Sequence, residues 1–263
     1  MKGREQYPDE ELRRRIMDFI MVAGQTLLEN GAEVFRVEQT MEIMARSFHL
    51  REFHVYVLTN GIFASAGTAE ISEVRNVPTR TTHLGRVAAV NALSREIAQT
   101  DMTLAEAECR LAEAQRIPFP KDWVQLLSGA SGAFCFALIF GGSLCSGLAA
   151  ALAGGLANAY LLFCGRRELS GGFQKITTAA LITLVCIWCS HLLGCPASEA
   201  IIGALMILTP GIAFTMGIRD FVQGDYLSGT IRMIDALLIA VSIAIGTGLV
   251  LSLYTLFTGV IVV

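Results

Sequence analysis

The sequence predicts an α+β domain over residues 1–120 followed by an all-α bundle of five transmembrane helices over residues 121–263. Three observations carry this prediction. The 263 residues are 53% hydrophobic, yet most of the charge lies before residue 123. From Trp123 onward, apolar runs of membrane length follow one another, and a run of about 18 or more apolar residues reads as a spanning helix. Before Trp123, helix-period stripes alternate with short β-prone runs, and about 120 residues suffice for an independent core of that kind.

The elements follow in order. Over residues 9–29, Leu12, Ile16, Phe19, Ile20, Ala23 and Leu27 recur at helical spacing, with Asp9, Glu10 and Glu11 at the start, where the helix dipole favours acids. Gly31 stops this helix, and a second, with Val34, Val37, Met41, Met44 and Phe48 on one stripe, packs back on it as a hairpin. Phe53–Leu58 and Ile62–Ala66 flank Thr59, Asn60 and Gly61, and an Asn-Gly between β-prone runs signals a tight β-hairpin. Ile71 to Val77 is a third strand stopped by Pro78. Residues 83–99 are helical, and Thr103 with Glu106 forms a capping box that opens a further helix to Arg116. Residues 117–120, Ile-Pro-Phe-Pro, are the linker.

Five apolar segments follow, near 123–141, 144–163, 177–194, 199–218 and 234–257. Lys121, Arg166, Arg167, Lys175, Arg219 and Arg232 fall in alternate loops, whereas residues 141–143 and 194–198 carry no cation. The positive-inside rule therefore places the N-terminal domain in the cytoplasm and Val263 outside. The opening stretch has no apolar core, so no cleaved secretory signal is expected. The expected location is the inner (cytoplasmic) membrane, with the lipid bilayer itself as a partner. Small residues recur every four positions at Gly129, Ala133, Ala137 and Gly141, and at Gly147, Ala151, Gly155 and Ala159, stripes that let helix backbones approach closely in lipid.

Several classes are excluded. A net charge of −3 and the lack of a basic stripe argue against a nucleic-acid partner. The seven cysteines read as small buried hydrophobes. Cys186, Cys189, His191 and Cys195 look like a metal cluster, but no second paired motif accompanies them, so no metal or cofactor is expected. No Ser-His-Asp or Cys-His constellation suggests an enzyme.

The chemistry concentrates in residues 199–220, an apolar segment interrupted by Thr209, Pro210 and Gly211 and ending on Arg219 and Asp220. Pro210 has no N–H and crowds the carbonyl one turn earlier, so backbone groups lose their helical partners at membrane depth. Transporters build sites from such breaks, where freed backbone dipoles and a nearby hydroxyl replace the water that a polar solute sheds. Thr209, Pro210 and Gly211 are thus candidate substrate-binding residues. Polar groups at membrane depth are costly unless they face the bundle interior or water, which singles out Asn158, His191 and Asp235, with Asn158 the best substrate-binding candidate. Arg219, Asp220, Asp225, Arg232 and Asp235 alternate in sign at the cytoplasmic mouth, where ion pairs can gate. In the N-terminal domain, Glu33 and Arg36 stand at an i, i+3 spacing that lets them pair on one helix face.

Three blocks carry a resemblance. They are Gly31-Ala-Glu33-Val-Phe-Arg36-Val-Glu38 with Thr59-Asn60-Gly61-Ile-Phe63, then Ala88-Ala-Val-Asn91-Ala-Leu-Ser-Arg95, then Leu208-Thr-Pro-Gly211 with Ile218-Arg-Asp220, Gly224-Asp225, Ser228-Gly229, Arg232 and Asp235. In these the chain resembles the threonine/serine exporter family over nearly its whole length. Phe35 stands where the family commonly has Thr or Tyr, and Asn60 where Pro is frequent, while Glu33, Arg36, Glu38 and Asn91 are in place. The resemblance implies a subunit of an exporter of a small carboxylate-bearing metabolite, threonine or serine, driven by an ion gradient because no ATP-binding motif occurs. It also implies the split form, in which a small second membrane subunit supplies the remaining helices, and a higher-order oligomer. A dicarboxylate of the succinate type is the alternative substrate, because a half-helix N-terminus suits either carboxylate. A membrane-anchored enzyme or sensor with an active N-terminal domain is the rival class.

Overall fold

The computed structural model describes residues 10–67, 71–77, 81–165 and 171–259. Asp9, Pro78, Arg166, Arg167 and Val263, named above, lie outside the described residues. The chain forms two compact units, the described residues of Met1–Phe119 with Ile218–Ile231, and those of Pro120–Gly217 with Arg232–Val263.

In the first unit, α1 (Glu10–Glu29) and α2 (Val34–Ser47) are joined by a turn in which Gly31 has φ +88°, a conformation that costs a residue without Cβ little. The strands β1 (His54–Leu58), β2 (Gly61–Ala66) and β3 (Ile71–Asn76) form an antiparallel sheet in the order β1-β2-β3. Leu58 pairs with Gly61, so the hairpin turns on Thr59 and Asn60, one residue earlier than the Asn60–Gly61 turn expected. Gly61 is a strand residue held close to the Arg75 carbonyl of β3, which explains why a glycine serves there. The helices α3 (Leu84–Gln99) and α4 (Leu104–Gln115) complete the unit. As the capping box requires, the Glu106 N–H donates to the Thr103 hydroxyl at 3.3 Å.

The core of this unit is built where the helix stripes meet one face of the sheet. Met17, Ile20, Met21, Leu27, Val37, Met41, Met44, Val57, Ile62 and Val90 are all buried. Gly24 leaves the space that Met41 fills between α1 and α2. On the opposite face, Tyr56, Phe63 and Val74 stand in one exposed cross-strand row.

The second unit contains α5 (Asp122–Ile139), α6 (Leu144–Gly165), α7 (Gly171–Leu193), α8 (Ala197–Leu205), and parts of α9 (Gly211–Val222) and α10 (Tyr226–Thr258). Among the described residues, four helices, α5, α6, α7 and α10, are long and apolar enough to cross a membrane. The expected fold class is therefore corrected on two counts. Residues 199–218 are no fifth full-length span, since α8 and α9 cover about 14 and 18 Å against a hydrocarbon core of about 30 Å. The α+β label also gives way, because the described residues hold ten helices and a sheet of only three short strands. Periodicity measured the apolar length of 199–218, whereas the turn at Met206–Leu208 and the proline after it divide that length between two short helices.

Small residues set the helix crossings. Gly129, Ala133 and Ala137 of α5 are buried as expected, whereas Gly141, the fourth residue of that stripe, is exposed beyond the helix end. The seam of α6 runs instead through Gly147, Ala150, Ala153, Gly154 and Ala157, while Ala151 and Gly155 are only half-buried and Ala159 is exposed. A helix with small residues all round does not declare its contact face by size alone, and here Ala133 of α5 and Ile207 close on Gly154. Gly203 of α8 lies against the backbone of Ala137. Gly246 of α10 lies against that of Ile176 and Ala180, and higher up Thr183 bonds Thr247 at 3.3 Å and His191 bonds the Tyr254 hydroxyl at 2.5 Å. α7 and α10 thus run parallel, and the chain returns from the end of one to the start of the other through α8 and α9.

Candidate functional site

The first unit brings together side chains that stand far apart in sequence. Glu33 precedes α2, where the helix dipole favours its negative charge, but its side chain does not cap the helix. Its Oε1 instead accepts from Arg219 Nη1 at 2.7 Å. The Glu33 side chain is 22% exposed and that of Arg219 47%. Arg36 donates to Gln39 at 3.3 Å, so the i, i+3 pair with Glu33 gives way to a long-range pair. One helical turn on from Val34, Glu38 Oε1 accepts from the Val57 N–H of β1 at 2.9 Å, tying α2 to the sheet. Burial pushes the Glu38 carboxyl above its ordinary range, the Val57 N–H opposes this, and the negative charges of Asp225 and Glu42 add to the rise. Asn91 of α3 accepts from the Thr40 hydroxyl at 3.1 Å and so ties α3 to α2.

The segment that meets this face is Ile218–Ile231, the end of α9, a turn and the start of α10. Gly224, with φ +88°, makes the turn, and the Asp225 N–H closes it on the Asp220 carbonyl at 2.9 Å. Asp225 then caps α10, its Oδ1 accepting from the Ser228 N–H at 3.2 Å. Asp220 is buried, as is Ser228. Glu33, Glu38, Arg219 and Asp225 therefore belong to one face, although their sequence blocks are separated by about 180 residues.

The remaining candidates lie in the second unit. Arg232 is buried with Nη1 3.3 Å from Met216 Sδ, and Asp235 is half-buried one turn further along α10. Pro210 directly precedes α9, and its carbonyl accepts from Phe214 at 3.0 Å. The exposed Thr209 hydroxyl turns back to the Leu205 carbonyl at 3.3 Å, while Gly211 has open space around its Cα. Asn158 donates from Nδ2 to the Gln125 carbonyl at 2.7 Å and packs on Gly129, joining α6 to α5.

Two further residues, His83 and Arg86, shape the first unit. His83 caps α3, with Nδ1 accepting from the Arg86 N–H at 3.2 Å and Nε2 3.1 Å from the Pro118 carbonyl. Arg86 Nε donates to the Ile117 carbonyl at 2.9 Å, and its guanidinium lies 5.3 Å from the Phe119 ring centre. Together they grip residues 117–119 of the linker. Histidine is not among the favoured capping residues, so no sequence signal marks it.

A family model described as "Putative threonine/serine exporter" matches residues 18–254. A protein of Mycobacterium tuberculosis (strain ATCC 25618 / H37Rv) named "Probable threonine/serine exporter" is 23% identical over 243 residues, covering 90% of this chain and 46% of that protein. The chain thus spans about half the length of the curated relative it matches. No solved structure matches the chain.

Proposed function

The chain belongs to the threonine/serine exporter family, and from that membership we propose that it is a subunit of a gradient-driven exporter of threonine or serine. The family is one of transporters rather than enzymes, and with four membrane-length helices the chain is a multi-pass membrane protein. The single observation that carries the proposal is that the family match runs through both units, from α1 to Tyr254, and so takes in the charged face and the broken α8–α9 segment alike. The name of the mycobacterial relative supports the choice of substrate.

In this proposal the substrate carboxylate meets the N-terminal end of α9 at Thr209, Pro210 and Gly211, where a half-helix dipole favours an anion. Asn158 Oδ1 offers an acceptor for its ammonium group. Arg219, Asp220, Asp225, Arg232 and Asp235 gate the cytoplasmic mouth, with Glu33, Arg36, Glu38 and Asn91 forming the N-terminal face that the first two engage or support. The N-terminal unit is cytoplasmic, a placement supported by Lys121 before α5, Lys175 in the first turns of α7, Arg219 in the last turn of α9 and Arg232 in the first turns of α10, and the membrane is the inner one. A small second membrane subunit supplies further helices, and a higher-order assembly of the two forms the exporter, which accords with a relative about twice as long.

Counterflow in proteoliposomes, with and without the partner subunit, tests the proposal. Labelled threonine or serine exchanging against its unlabelled form is the expected result. Exchange of succinate with no exchange of either amino acid would replace the substrate by a dicarboxylate, and exchange of none of the three in the presence of the partner would overturn the proposal.

A further inference from the structure

We infer that the segment Ile218–Ile231 is a proton-controlled latch on the N-terminal unit, in which Glu38 takes the proton and the Arg219–Glu33 pair is the hook. The segment packs within the same compact unit as α1–α4 although it lies between two apolar stretches of the chain. Its contact surface mixes attraction and repulsion. Arg219 Nη1 donates to Glu33 Oε1 at 2.7 Å, which holds the segment on. Asp225 brings a negative charge towards Glu38, itself already half-buried on α2, which pushes the segment off whenever both carboxyls are ionised.

The groups bearing on Glu38 can be named element by element. The docked segment contributes Asp225, β1 contributes the Val57 N–H, and α2 itself contributes Glu42 one turn on. α1 packs on α2 through apolar residues such as Met17 and Ile20, and α3 through Asn91, whose Oδ1 is taken by Thr40. Undocking carries Asp225 away and leaves the other groups in place. The Glu38 carboxyl is therefore held higher in the docked state than in the undocked one. The docked state binds the extra proton, so docking is fully supported below the undocked value and weakens as pH rises through the docked value. Each unit between the two values changes the docking equilibrium by about tenfold. Asp225 cannot simply be dispensed with, because it also caps α10.

For an exporter driven by a proton gradient, a latch of this kind would tie the segment between α9 and α10 to the protonation state of the cytoplasmic face. That consequence rests on the exporter proposal, whereas the latch itself is a property of the folded chain and is measured without transport. The test is hydrogen exchange of peptides covering residues 218–231 in the full-length protein in nanodiscs, with rates corrected for intrinsic chemical exchange at each pH. In the parental protein, protection should fall as pH rises through the Glu38 transition and level off above it. Glu38→Gln should be protected at every pH with no such transition, and Glu38→Asp should keep one. A flat parental profile, or a Glu38→Gln profile that follows the parental one, overturns the inference. Asp225→Asn supplies an independent arm, because asparagine keeps the cap while removing the charge. Its transition should move to lower pH, and an unmoved midpoint counts against the latch even if Glu38→Gln fails to fold.

Discussion

The Arg219–Glu33 pair can be broken, reversed and restored. At 2.7 Å and an effective permittivity of about 20, the gross attraction is about 6 kcal/mol. Desolvation and side-chain ordering remove most of it: fully exposed pairs retain about 0.2–1 kcal/mol, and hydrogen bonds to charged groups about 1.5–3 kcal/mol. With Arg219 47% exposed and Glu33 22%, screening keeps the net value near the boundary of those ranges, at about 1 kcal/mol. A double-mutant cycle of Glu33→Gln, Arg219→Gln and the double variant should therefore show a coupling of about 1 kcal/mol, or about 2–4 °C in the midpoint of thermal unfolding of the full chain in detergent. The reversed singles Glu33→Arg and Arg219→Glu place like charges together and should each lower the midpoint further. The double reversal should regain at least half of that loss. Additive effects within about 0.3 kcal/mol, together with a double reversal no better than the singles, would refute the pairing and with it the hook of the latch.

Three further outcomes follow from individual contacts. Pro210→Ala supplies the missing N–H and should let helix continue across the junction of α8 and α9, abolishing export in the proteoliposome assay at normal membrane levels; undiminished export by an inserted variant would remove the broken helix from the proposed site. Gly203→Ala sets a Cβ against the backbone of Ala137, which cannot rotate aside, so stability should fall by about 1–3 kcal/mol, read as a lower unfolding midpoint in detergent; an unchanged midpoint would mean that α8 does not cross α5 there. Arg86→Ala removes the bond to the Ile117 carbonyl and the stacking on Phe119, worth together about 1–2 kcal/mol, and should speed tryptic cleavage after Arg116 or Lys121 by about 5- to 30-fold at otherwise unchanged sites; a parental cleavage rate would show that the linker is held elsewhere.

Local chemistry was legible in the sequence wherever one stretch decides its own structure. The stripes of α1 and α2, the stop at Gly31, the capping box at Thr103 and Glu106, and the break at Pro210 all follow from short-range rules, and each stands where those rules place it. The rules fail where two elements must meet. Apolar length alone does not distinguish one full span from two short helices, hence the error over residues 199–218. The α6 seam leaves the expected stripe after Gly147, because alanine and glycine occupy nearly every face of that helix. Helical spacing offers Arg36 as the neighbour of Glu33, whereas the partner of Glu33 lies 186 residues away and no local pattern announces it.

The same limit explains why a charge-rich loop is ambiguous until its partners are known. Arginines at a membrane boundary are accounted for by orientation, and an aspartate before a helix by capping, so neither residue type demands a further role. Asp225 meets the capping account in full, since its Oδ1 receives the Ser228 N–H at 3.2 Å. What capping does not require is an ionised side chain, because asparagine caps as well, nor a position from which the charge raises the Glu38 carboxyl. A residue chosen only to start α10 would do better without the repulsion that aspartate adds. The cap and the charge are separable functions of one side chain, and Asp225→Asn divides them: if the charge is idle, that variant should dock, unfold and transport as the parental protein does, and if the charge works against Glu38, only the pH at which the segment lets go should move.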